Sequence, residues 1–69
     1  MQLRSNVVKA YTLTPGVIIL MNYYGALREL IVREVDIDCG WCKMSVQDIQ
    51  EVQPPFPLTL KADRLVRVK

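Results

Sequence analysis

The chain has 69 residues, room for a single domain over residues 1–69, and at that size folding buries only about 60% of the unfolded surface. Apolar residues make up 51% of it, more than one small core can hide, so the composition points to self-association, with a dimer as the first expectation. A formal charge of +2 and a pI near 8.7 exclude a strongly basic composition and are too weak to diagnose a polyanion partner.

The first predicted element is a strand within residues 1–13, where Val7, Val8, Tyr11 and Leu13 are interleaved with polar residues and Leu3 stands near the start. Thr14-Pro15-Gly16 then reads as a turn, with proline presetting φ and glycine accepting a positive φ. Val17 to Tyr23 is a nearly continuous apolar run suited to a buried strand, and Tyr24-Gly25 forms the tip of a hairpin. The return segment, Ala26 to Asp38, alternates only if one bulge is inserted near Arg33-Glu34. Leu30, Val32, Val35 and Ile37 then face one side, and Glu29, Ile31, Asp36 and Asp38 the other.

A central helix over residues 15–35 competes with that hairpin, since Asn22, Gly25, Glu29, Arg33 and Asp36 form a polar stripe at helical spacing behind a Thr14 N-cap. The β-branched content favours the hairpin, and Gly25 inside a helix would cost about 1 kcal/mol relative to alanine. Asp38-Cys39-Gly40-Trp41 is a second turn, followed by a short strand over Trp41 to Val46. Residues 45–52 also carry a helix pattern, with Ser45 and Asp48 as a capping box and Val46, Ile49 and Val52 as the buried face. Pro54, Pro55 and Pro57 make residues 53–57 a stiff connector. Leu58 to Lys69 closes the chain as a last strand or hairpin turning at Ala62-Asp63-Arg64. The expected fold is mainly β, a small SH3-like or partly open β-barrel with a short helix near 45–52, and the alternative is α+β with the central helix 15–35.

Tyr24-Gly25-Ala26-Leu27-Arg28 between two apolar strands, together with Ala62-Asp63-Arg64-Leu65 before a terminal strand, resembles the small SH3-like barrels of WYL-type ligand-binding modules. The resemblance covers about a third of the chain, and the Trp-Tyr-Leu element of that family has no counterpart here. It implies a regulatory ligand-sensing or interaction barrel and assigns no binding residues.

No apolar run reaches the roughly 20 residues that span a bilayer, because Asn22 ends the best one. Arg4 is followed by neither an apolar core nor a small-residue cleavage site, so neither membrane association nor a secretory signal is expected and the cytoplasm is the default. Cys39-Gly40-Trp41-Cys42 has three readings: small packing residues around a turn, half of a zinc site completed across a dimer or by Asp38 or Asp48, or thiol chemistry with a local disulfide. The first is favoured, and neither metal nor cofactor is expected.

The chain contains no histidine, which removes the commonest general base and leaves Ser5 and Ser45 unactivated. Glu29, Glu34, Asp36, Asp38, Asp48 and Glu51 read as a solvated face rather than a catalytic pair, and no glycine-rich phosphate loop occurs, so no catalysis is expected.

Tyr24, Trp41, Met44 and Phe56 are candidate interaction residues, large apolar groups in turn contexts that serve as lids or partner anchors. Lys61, Arg64, Arg67 and Lys69 are candidate anion-binding residues, set against the plainer reading of a charged, protected edge strand. Charge also divides by region: residues 1–28 carry +3, residues 29–51 carry −4 and residues 52–69 carry +3. Acidic middle strands lying beside basic terminal ones would explain that division. A self-associating interaction module is therefore the first functional expectation. A small nucleic-acid-binding or regulatory protein is the second, and a metal- or thiol-dependent protein the third.

Overall fold

The computed structural model describes residues 6–23 and 25–69. Six strands form one antiparallel sheet: β1 (Asn6–Lys9), β2 (Ile18–Tyr23), β3 (Ala26–Asp38), β4 (Trp41–Asp48), β5 (Phe56–Lys61) and β6 (Leu65–Val68). Their spatial order is β1-β6-β2-β3-β4-β5. The protein is mainly β, and its sheet is not closed into a barrel.

The two hairpins follow from local chemistry. Gly25 has φ of +77° at the first tip, where Tyr23 pairs with Ala26. At the second, Cys39 (φ +50°) and Gly40 (φ +79°) link Asp38 to Trp41. Two successive positive φ values make the type I′ geometry whose twist matches that of the flanking strands. The expected bulge in β3 is present, with the register against β4 shifting between Val32 and Glu34.

Alternation then sets the inner face. Ile19, Leu30, Val32, Cys42, Met44, Val46, Leu60 and Val66 are buried against one another, and Ala10 and Leu13 fill the end of the core. Val35 packs on this cluster, whereas Ile37 shares its inward parity but is 47% exposed, because the tip of β3 extends past the core.

Several expectations are corrected. The favoured hairpin is present, residues 15–35 being the turn, β2 and most of β3 rather than the alternative helix, whereas the short helix near 45–52 does not form, since residues 45–48 are the end of β4. Cys42, Met44, Val46 and Asp48 alternate inward with period two, while Ile49 and Val52, required on a buried helical face, are exposed. The first strand ends at Lys9, short of residue 13. After Lys9 the chain makes a 3-10 turn over Ala10–Thr12, where Thr12 Oγ1 donates to the Lys9 carbonyl at 2.7 Å. This turn drops Ala10 and Leu13 into the core. Leu3 lies outside the described residues.

The proline connector is also shorter than expected, since Phe56 and Pro57 already belong to β5. Among the described residues that strand pairs only with β4, so an edge position accommodates the missing proline donor. The turn after Lys61 is where expected, but the strands flanking it do not pair as a hairpin: β5 is one edge of the sheet, and β6 runs between β1 and β2.

Candidate functional site

The register sorts exposed side chains onto the outer face. In β6, Val66 and Val68 point inward, which sends Leu65 and Arg67 outward, and Lys69, just past the strand, is exposed as well. Val7 lies opposite Arg67 and Lys9 opposite Leu65 on β1, while Leu20 lies opposite Arg67 on β2. On β3, Ile31 faces Ile18, Glu29 faces Leu20 and Leu27 faces Asn22. Beyond the bulge, Glu34, Asp36 and Asp38 take the outward positions, opposite Ser45, Lys43 and Trp41. One surface thus carries a basic end (Lys9, Arg64, Arg67), a half-buried apolar middle (Ile18, Leu20, Ile31) and an acidic end.

At the basic end the sheet forks. The ladder between β2 and β6 stops at Leu20 and Arg67, and the gap beyond it is a groove of about 280 Å³ lined by Leu20, Asn22, Leu27, Arg64, Leu65 and Arg67. Lys69 N–H donates to the Ile18 carbonyl at 2.9 Å. Because main-chain groups of alternate residues point the same way along a strand, those of Asn22 and Leu65 are directed into the gap. Among the described residues, Arg64 and Arg67 have no salt-bridge partner.

The four candidate anion-binding residues are therefore not one stripe. Arg64 and Arg67 share this groove. Lys69 Nζ is engaged by Glu29 Oε1 at 2.8 Å. Lys61 lies across from Trp41 on a separate surface hollow of about 440 Å³ that also includes Gly40, Ala62 and Asp63.

The candidate interaction residues also separate. Trp41 is 44% exposed on the outer face, whereas Met44 is 4% exposed and belongs to the core, where no partner can reach it. Phe56 is half-buried and stacks on Tyr23, with ring centroids 5.4 Å apart. Tyr24 lies outside the described residues. Leu20, Asn22, Leu27 and Leu65, which line the groove, were not singled out by sequence. The alternation of Leu65, Arg67 and Lys69 with inward valines was the available signal.

The cysteines point to different environments. Cys39 is exposed in the turn, and Cys42 is fully buried, its Sγ donating to the Ala10 carbonyl at 3.5 Å. Burial pushes the Cys42 thiol pKa up from its usual 9.0. Among the described residues, no three Cys, Asp, Glu or His side chains gather where a metal ion would be held.

Asp48 is the buried acid among them, 7% exposed. Its Oδ1 accepts the Gln50 N–H at 2.7 Å, while Arg28 stands 3.7 Å from Oδ2 and 2.8 Å from Glu51. This cluster ties the loop after β4 back to β3. The division of charge is only partly met across strands: Lys69–Glu29 joins a terminal base to the acidic middle, while Lys43–Asp38 lies within that middle.

No described helix is long and apolar enough to cross a membrane. Comparison with known proteins finds no matching family model, no matching curated protein and no matching solved structure.

Proposed function

We propose that this protein is a small, non-catalytic, β-rich interaction module whose partner is a second copy of the same chain. The observation that carries the reading is apolar exposure on the outer face: Val7, Leu27, Trp41 and Leu65 are each more than 40% exposed on a domain of 69 residues. A two-fold dimer covers such a surface with itself. The arrangement of acids supports a non-catalytic role, since Asp48 is occupied by Arg28 and a backbone N–H and no histidine is available as a base. The free thiols Cys39 and Cys42 support placement in the reducing cytoplasm. The resemblance to WYL-type SH3-like modules belongs to the same proposal. The meander β2 to β5, followed by a last strand returning beside β2, is the feature in its favour.

Light scattering over a concentration series tests self-association. A dimer is expected at micromolar concentration, and a 7.9 kDa species persisting to high micromolar concentration would defeat the reading.

The convergence of Arg64 and Arg67 on one groove favours a second reading, a small nucleic-acid-binding or regulatory protein. Titration with labelled DNA and RNA at about 0.15 M salt tests it, because surface charges are screened there beyond about 8 Å. Affinity tighter than micromolar, lost on changing both arginines to alanine, would place this reading first.

A further inference from the structure

The outer face is ordered in a way that simple apolar exposure does not require. Strand β6 runs parallel to β3 with β2 between them. Row by row, Arg67, Leu20 and Glu29 lie abreast, and Ile18 and Ile31 pair in the next row. Moving along β3 from there crosses the bulge to Glu34 and Asp36; moving the other way along β6 leads to Leu65 and Arg64. The face therefore has Arg64 and Arg67 at one end, Glu34 and Asp36 at the diagonally opposite end beside the internally paired Lys43–Asp38, and Ile18, Leu20 and Ile31 between them.

A half-turn about an axis through that apolar middle superposes the basic end of one copy on the acidic end of the other, twice. The pairs Arg64/Arg67 and Glu34/Asp36, none of them in a salt bridge among the described residues, are complementary in charge under that operation. The opposite case, one sign spread over the whole face, would repel its own copy.

We infer that the groove at the β2–β6 fork is the receptor for the acidic rim of β3, Glu34 and Asp36, from a second copy, with reciprocal contacts around an Ile18–Leu20–Ile31 centre. The inference rests on the self-association reading and says where the contact lies. A carboxylate entering the fork meets four donor groups of two kinds: the guanidinium groups of Arg64 and Arg67 and the main-chain N–H groups of Asn22 and Leu65, directed into the gap. Guanidinium matches carboxylate geometry with paired, charge-assisted hydrogen bonds. Neither Glu34 nor Asp36 has a salt-bridge partner among the described residues, so both are free to supply it. Lys69–Glu29 lies beside the apolar middle as an internal pair and leaves the centre uncharged overall.

Charge reversal tests this placement. One variant carries Arg64→Glu and Arg67→Glu, the other Glu34→Lys and Asp36→Lys; all four positions are exposed, and circular dichroism checks that both variants fold. Each alone sets like charge against like in both contacts and is expected to weaken dimerisation about a hundredfold or more. Mixed in equal amounts, the two variants restore opposite charge at both contacts and are expected to form a heterodimer. Sedimentation of each variant, of the mixture and of the native chain reads the result. A native chain that is monomeric overturns the self-association reading and this inference together. A native dimer whose reversed variants still dimerise, or whose mixture stays monomeric, overturns the placement alone. An interface formed by other strands would give one of those last two outcomes.

Discussion

Cys39 and Cys42 are three positions apart yet differ in everything that governs thiol chemistry. The two-residue turn places Cys39 in solvent, and the alternation of β4 places Cys42 against Ala10. Since the thiolate is the reactive form, the buried thiol with its raised pKa is expected to be inert. A disulfide reagent at neutral pH should therefore titrate one thiol per native chain quickly and the second only after unfolding; two fast thiols would contradict the inward placement of Cys42. The same shift gives stability a pH dependence. The unfolded chain releases the proton first, so the contribution is complete below pH 9.0 and declines as pH rises through the folded value. Melting temperature should fall from pH 8 to pH 10, and less so in Cys42→Ala. At this scale the turn was legible, because few sequences besides a glycine-containing pair accept two positive φ values. The fate of Met44 was not: a position in a turn-rich stretch reads as exposed until the strand's parity is known.

For the elements, the bulge in β3 is the informative case. The sequence Leu30-Ile31-Val32-Arg33-Glu34-Val35 breaks alternation once, and one inserted residue restores it, so both the bulge and the faces on either side were readable. The segment after Met44 was misread because Val46, Ile49 and Val52 repeat at helical spacing, while Val46 and Asp48 also alternate with period two. Pairing with β3 on one side and β5 on the other decides in favour of the strand, since each ladder satisfies backbone groups that a short isolated helix would leave to water. The division into faces has a direct test on β2 and β3. Ile19→Ala empties a fully buried position and is expected to cost about 2–5 kcal/mol. Leu27→Ala, on the outer face, is expected to stay within about 0.5 kcal/mol when unfolding is measured at a concentration where the chain is monomeric. Urea unfolding of both variants measures the contrast, and equal losses would mean that the faces are wrongly assigned.

Across the whole molecule, what the sequence concealed was the slot taken by β6. Hairpins β2–β3 and β3–β4 are local and carry their own turn signals, whereas β6 pairs with β1 and β2 from nearly the length of the chain away. Nothing in Leu65-Val66-Arg67-Val68 announces which edges it will join, and so the groove at its fork with β2 was not legible either. A chain ending at Arg64 is expected to lose cooperative unfolding, because β1 then has no neighbour and the β2 side of Val66 is empty. A sharp thermal transition near that of the full chain would show instead that β2 to β5 stand alone. The same strand order has a temporal meaning during synthesis. A ribosome makes β1 first among these strands and β6 last, yet β6 lies between β1 and β2. Until β6 emerges, β1 lacks the strand it pairs with, and one edge of the hairpin stack stays open to neighbouring nascent chains. The fold is thus completed by an interior piece arriving late, like a keystone, and the interval before its arrival is when chaperone binding or mispairing between polysomal neighbours would act.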